Sequence, residues 1–276
     1  MALKSVYFNS WIHEGKVSWT AIDYAIAFCT HESAHLIVHL ELPPLVLPTA
    51  KIVPLVQALV ETVNAERHEK AELEKSEVAA RARLSGINID CSLFEGSYPK
   101  SRFECIAAAR SSDCIILPKP PGLLSLDRDL VEALIFGAGR PVIVVPDEWQ
   151  KGSVFQRIAV AWDGGREAAR AVGDAMSLLA AANEVEIVCA APDSRKNLAG
   201  SDIAQHLSRH CRAVRLTELP MMFADAGMTL RNYLSAATPD LLVMGAYGHP
   251  RLLEFVLGGV TSMMLSDAHV PVFYSH

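Results

Sequence analysis

Three glycines follow the apolar run Asp240-Leu241-Leu242-Val243-Met244 at a spacing suited to binding an anion. Gly245 ends the run, Gly248 follows after two residues and Gly258 after nine more, with Gly259, Val260 and Thr261 directly behind. A short apolar run bounded by glycine reads as a strand of a buried parallel sheet. A Gly-rich turn at the carboxyl end of such a strand is where open α/β sheets place ligands. Without a Cβ, each glycine lets main-chain amides approach an oxyanion closely. Gly258 to Thr261 offers successive N–H groups and a hydroxyl, the makings of a phosphate cradle. The blander reading of the same residues is a tight strand-to-helix turn at Gly245 and Gly248 and a helix break at Gly258-Gly259.

The elements that must carry this turn alternate between short β-rich runs and longer helical ones, the pattern of a parallel sheet covered by helices. In the first half, strands are expected at 5–10, 35–40, 87–94, 113–117 and 141–145. Helices are expected at 18–29, 53–84, 101–109 and 127–136. A polar linker at 147–153 follows, and the pattern restarts. Strands are then expected at 157–162, 184–189, 213–218, 240–244 and 270–274. Helices are expected at 166–181, 203–209 and 228–237, with a last one beginning near Phe255. The echo of Pro141-Val142-Ile143-Val144-Val145 in Pro271-Val272-Phe273-Tyr274, and of Asp113-Cys114-Ile115-Ile116 in Asp240-Leu241-Leu242-Val243, marks an internal repeat. The domains are therefore expected at 1–147 and 154–276. The extra length of the first falls in its second helix and the loop before it.

The glycine pattern resembles the signature of the universal stress protein family, G-x2-G-x9-G-[S/T], with Gly245, Gly248 and Gly258 at the required spacing. The likeness runs along nearly the whole chain as two copies, weak in the first and clear in the second. It implies an α/β fold of two tandem five-stranded parallel-sheet units, Rossmann-like and of the adenine nucleotide alpha hydrolase kind, arranged as a pseudo-dimer. It further implies that the second unit binds ATP, or ADP or AMP, with or without Mg2+. Carried over by position, Asp163 looks like the acidic residue beside adenine and Ala190 like the small residue on the other side of the base. Met244, Gly245 and Gly248 would flank the ribose, and Gly258, Gly259, Val260 and Thr261 would wrap the phosphates. One departure stands out: Gly259 replaces the family's Ser or Thr after the third glycine, a loss of about 0.5–1.5 kcal/mol for one neutral hydrogen bond.

The first copy has lost the pattern. Trp11 corresponds to Asp163, Pro118 and Pro121 to Gly245 and Gly248, and Arg128 and Asp129 to Gly258 and Gly259. Prolines supply no N–H and fix φ, and Asp129 would repel a phosphate, so no nucleotide is expected there.

Composition narrows the remaining classes. Of 276 residues 51% are hydrophobic and 20% charged, enough for a core in each unit, and the net charge of −6 lacks the basic run that a nucleic-acid partner asks for. Six cysteines without a C-x-x-C pair read as reduced thiols. No apolar stretch reaches the roughly 18–20 residues of a membrane span, and residues 1–8 run straight into a strand pattern. A cytoplasmic location is the expectation.

His31, His35 and His39 recur every four residues, but 35–40 reads as a strand. His206 and His210 read as neighbours on a surface helix, with Cys211 beside them. Neither set is taken as a metal site. His249 and Arg251 follow the glycine turn, where they either neutralise phosphate charge or face solvent. No P-loop and no G-x-S-x-G elbow is present. The expected function is an adenine-nucleotide-binding stress-response regulator that is no dedicated enzyme and at most hydrolyses ATP slowly. The rivals are an ATP-consuming enzyme of the same α/β class and a nucleotide-free scaffold. Whether the units satisfy each other's edge strands or pair with another chain, as a homodimer, is left open.

Overall fold

The computed structural model describes residues 3–13, 15–46, 54–96, 100–122, 125–190, 198–222, 225–246 and 259–276. In chain order the first unit runs β1 (Ser5–Trp11), α1 (Trp19–Glu32), β2 (His35–Glu41), α2 (Pro54–Leu84), β3 (Ile89–Phe94), α3 (Lys100–Ala109), β4 (Cys114–Pro118), α4 (Leu126–Gly137) and β5 (Val142–Val145). The second runs β6 (Arg157–Ala161), α5 (Arg166–Asp174), α6 (Met176–Ala181), β7 (Glu184–Ala190), α7 (Leu198–Leu207), β8 (Val214–Leu219), α8 (Ala226–Ala237), β9 (Leu241–Gly245), α9 (Val260–Asp267) and β10 (Val272–Ser275).

All ten strands form one sheet in the order β3-β2-β1-β4-β5-β10-β9-β6-β7-β8. Within each unit every pairing is parallel. The inner strands β4, β5, β9 and β10 are apolar along nearly their whole length and buried on both faces, while the outermost, β3 and β8, are half-buried. Each unit carries its chain outward through three strands and then crosses back past the first. A switch point thus lies between β1 and β4, and a second between β6 and β9.

The two units meet at one antiparallel seam, with Val144, Ile143 and Val142 of β5 opposite Val272, Phe273 and Tyr274 of β10. Each unit thus covers the other's inner edge within one chain, and β3 and β8 stand as the two outer edges of the sheet. The segment between the units is itself packed. Trp149 is buried and its Nε1–H donates to the Gly152 carbonyl at 2.7 Å, while Asp147 accepts from Ser18 and Thr20 of the first unit.

The repeat extends to individual hydrogen bonds. In the first unit one Asp113 oxygen accepts from the amides of Lys4 and Ser5, and in the second one Asp240 oxygen accepts from those of Gln156 and Arg157. Each aspartate starts an inner strand and holds the start of its unit's first strand in register. At the other end, the Lys119 amide donates to Val145 and the Ala246 amide to Ser275, both at 2.8 Å.

Three boundaries differ from expectation. The helix expected over 166–181 is two helices meeting at Ala175, which is the C-cap of one and the N-cap of the other at φ −86° and ψ 0°. Gly173 weakens the helix just before the joint, and Asp174 is held by both Arg170 and Ser275. The helix expected at 203–209 starts earlier and stops at Leu207, so His210 lies in the turn beyond it. The last described helix starts at Val260, and Phe255 lies outside the described residues. No described helix is long and apolar enough to cross a membrane.

Asp240→Ala should lower stability by about 1–3 kcal/mol, the cost of two amides losing a charged acceptor. Urea denaturation checks this; an unchanged midpoint would remove the aspartate from the account of register.

Candidate functional site

At the second switch point the carboxyl ends of β6, β7 and β9 lie side by side. The pairing of Ala161 with Val188, extended by two residues, brings Asp163 opposite Ala190, and the pairing of Val160 with Val243, extended by three, brings Asp163 level with Ala246. Asp163 is exposed and Ala190 half-buried, while Met244 is buried within β9. The residues expected on either side of a base thus share one edge of the sheet, and Gly245 ends the neighbouring strand.

Asp163 also has a local task. Its Oδ1 accepts the Gly165 amide at 2.7 Å, a turn that aims the chain into α5, for which Gly165 is the N-cap. In the first turn of α5, the Arg166 guanidinium hydrogen-bonds Glu167 and holds its carboxyl below the usual range. An ionised acid there also suits the positive end of the helix dipole.

Gly245 is needed by this helix. A Cβ added at Gly245 would stand 2.5 Å from the Ala168 nitrogen and 2.5 Å from the Glu167 carbonyl carbon, distances that side chains essentially never adopt. The first turn of α5 therefore rests on the bare end of β9. The blander reading of Gly245, a packing glycine, holds whatever else the residue does.

Gly259 is the N-cap of α9 and Val260 its first residue. The amides of that first turn form the positive end of a helix dipole. Thr261 is 3% exposed, so its side chain lies inside the fold; the hydroxyl expected at the phosphates is buried. Gly248, Gly258, His249 and Arg251 lie outside the described residues.

At the corresponding edge of the first unit the strand ends carry bulkier residues, and a cavity of about 470 Å³ lined by Lys119, Pro120, Pro121, Gly122, Asp147 and Ser266 lies past the end of β4. Trp11, standing where Asp163 stands, is buried, and Pro118 ends β4 where Gly245 ends β9. Glu41 ends β2 as Ala190 ends β7, and it is 1% exposed. Its Oε1 accepts from Asn9 Nδ2 at 3.0 Å and from Cys105 Sγ at 2.8 Å. Tyr7 Oη stands 3.4 Å from Asn9 Nδ2 and 3.0 Å from His39 Nδ1. Burial pushes the Glu41 carboxyl above the ordinary carboxylate range and the His39 imidazole below its own. Burial also raises the Cys105 thiol, with Glu41 beside it adding to the effect, which leaves a poor nucleophile. This polar core was not anticipated. In sequence, Glu41 is a lone acid at a strand end, with nothing to mark it as buried.

The histidine readings can be placed. His35 pairs with Asp90 at 2.9 Å, and His39 packs edge-on against Tyr7 and stacked with Phe94, as strand neighbours do. The His206 and His210 rings lie 5.1 Å apart across the end of α7. Among the described residues no group of three His, Cys, Asp or Glu is placed to hold a metal. The six cysteines are free thiols; Cys91 and Cys211 are half-buried and the others buried.

A tandem pair of doubly wound α/β units sharing one sheet is the class of protein that the fold defines. It is the fold of the universal stress proteins. The chain is similar to a universal stress protein from Archaeoglobus fulgidus DSM 4304, with a TM-score of 0.73 and 18% identity over 98% of this chain and 95% of that one. It is also similar to a functionally unknown protein from Pseudomonas aeruginosa PAO1, with a TM-score of 0.63, 15% identity and coverage of 99% and 92%. The cytoplasmic domain of a prokaryotic cation chloride cotransporter shares the fold more loosely, with a TM-score of 0.52, 12% identity and coverage of 99% and 95%. No family model matches the sequence. A search of curated proteins finds no match. One fold serves different proteins here, so function must be argued from the site.

Two outcomes test these assignments. Gly245→Ala should destabilise the protein by about 1–3 kcal/mol through overpacking against α5; equal denaturation midpoints would show that α5 does not rest on this glycine. The second concerns pH. A carboxyl raised in the folded state favours folding fully below its unfolded value, and that contribution is lost as pH rises through the raised value. Glu41→Gln should therefore gain stability relative to the parent as pH rises through and above the ordinary carboxylate range. Melting curves that stay parallel across that range would contradict a buried, proton-holding Glu41.

Proposed function

We propose that the chain is a stress-response regulator of the universal stress protein type, whose second unit binds an adenine nucleotide in the crevice at the ends of β6, β7 and β9. The supporting observation is that Asp163, Ala190 and the Gly245 end of β9 share the edge of the second switch point, while their counterparts at the first are the bulkier Trp11, Glu41 and Pro118.

The residues fit such a ligand in kind. An exposed carboxylate at Asp163 accepts from the exocyclic amine of adenine, and the small Ala190 leaves room beside the base. Met244, Gly245 and Gly248 stand on the ribose side. Gly258, Gly259, Val260 and Thr261 receive the phosphates through main-chain amides at the start of α9. Because the Thr261 hydroxyl is buried, the main chain carries that task, and Mg2+, where present, arrives on the phosphates of ATP. The domains divide accordingly, 1–147 without and 154–276 with the nucleotide site.

Isothermal titration with ATP, ADP, AMP and cyclic nucleotides tests the reading, with one site per chain expected. Asp163→Asn is the discriminating variant, since its side-chain oxygen still accepts the Gly165 amide while its charge is gone. It should bind about tenfold more weakly, or worse, for the loss of one charged hydrogen bond. Parent protein that binds none of these nucleotides would overturn the proposal.

A further inference from the structure

The segments of the first unit that no longer carry glycines hold a helix of the second. Arg128, which stands where Gly258 does in the repeat, is 5% exposed and reaches across the seam to α9. Its Nη1 donates to Ser266 Oγ at 2.8 Å, and its Nη2 to Ser262 Oγ at 2.8 Å and to the Ser262 carbonyl at 3.3 Å. Its Nε pairs with Glu132 one turn along α4 at 2.9 Å. Lys119, which follows Pro118, donates from Nζ to the carbonyl of Ala268, the C-cap of α9, at 3.3 Å. One cation thus grips the first two turns of α9 and another its last carbonyl.

A second contact reaches the other end of the glycine segment. Phe136, on the last turn of α4, packs edge-on against His276 at 4.9 Å, and His276 Nδ1 lies 2.9 Å from the carbonyl of Ala246. Residue 246 precedes the segment 247–258, and α9 follows it. The first unit therefore braces both flanks of the stretch that bears Gly248 and Gly258.

Cohesion alone does not call for this arrangement. The β5–β10 seam already joins the units through apolar residues, and a buried guanidinium is costly unless every donor is placed. What the guanidinium adds is orientation, since its planar fork fixes the two α9 serines against α4.

We propose that Arg128 is a positioning residue and that, with Lys119, it forms an inter-unit clamp on α9 that sets how tightly the second unit holds its nucleotide. The proposal rests on the nucleotide reading above. Coupling of this kind is reciprocal, so nucleotide bound in the second unit tightens α4 in the first.

The test is titration of ATP into parent and Arg128→Gln, with amide hydrogen exchange over 126–137 followed with and without ATP. In the parent, ATP slows exchange in α4, although that helix belongs to the first unit. In Arg128→Gln the affinity falls about tenfold, within the usual range for coupled sites, and the slowing of α4 disappears. Equal affinity in the two proteins overturns the clamp, as does parent α4 exchange indifferent to ATP. Weaker binding with the slowing intact marks general damage and also overturns it. If Arg128→Gln does not fold, the double variant Ser262→Ala and Ser266→Ala removes the same side-chain bonds from the α9 side and is read identically. Failure of the parent to bind ATP strikes the nucleotide reading itself, whereas binding with no dependence on Arg128 strikes the clamp alone.

Discussion

The antiparallel pairing of β5 with β10 is the constraint on which the rest of the molecule depends. Each five-stranded parallel unit ends on an apolar strand that cannot be left open without inviting association. Pairing the two ends back to back closes both edges within one chain and makes a single ten-stranded sheet. The same pairing decides which helices meet. The helix before each seam strand, α4 in one unit and α9 in the other, is carried to the junction, and Arg128 comes within reach of Ser262 and Ser266.

Duplication explains why the two crevices differ while their frames agree. The aspartates at 113 and 240 and the amide bonds at 119 and 246 hold equivalent strands alike, so the frame is under the same physical demand in both halves. The crevice residues are under no such demand. In the second unit the strand ends carry an exposed acid, a small residue and a glycine. In the first they carry Trp11, Glu41 and Pro118, and Glu41 joins a buried, hydrogen-bonded polar cluster with Asn9 and Cys105. A buried carboxyl of that sort is tolerable because Asn9 and Cys105 satisfy it and because burial favours its neutral form.

Much of this was legible in the sequence, and the misses share a cause. The inner strands, buried on both faces, announce themselves as apolar runs, and all ten strands were found within a few residues of their observed bounds. Local periodicity carries no information about contacts between distant segments. Glu41 looked like a strand-end acid because the residues that bury it, Asn9 and Cys105, lie far away in the chain. Arg128 registered only as a lost glycine, since the serines it grips come more than a hundred residues later. Thr261 was placed at the phosphates by the resemblance alone, and its burial in the first turn of α9 is a property no local pattern carries. The joint at Ala175 went unseen because the pull of Ser275 on Asp174 is again a long-range contact.

Gly245 shows why a motif and a packing rule need not compete. The glycine admits the first turn of α5 to the end of β9, and α5 starts where it does because Asp163 caps the turn at Gly165. The residue proposed to meet the base and the glycine proposed to flank the ribose are thus tied through one helix start, each needing the other in place. A change at either alters the crevice even without touching a ligand. For the same reason the geometry of α9 matters as much as its amides: a helix start receives an anion only where the rest of the helix is fixed. The second unit offers α9 one face of support through α8, and the first unit supplies the other through Arg128 and Lys119. On the clamp proposed above, a helix whose outer face is held by another unit transmits that unit's condition to its own first turn, which gives the chain a physical reason to keep both halves.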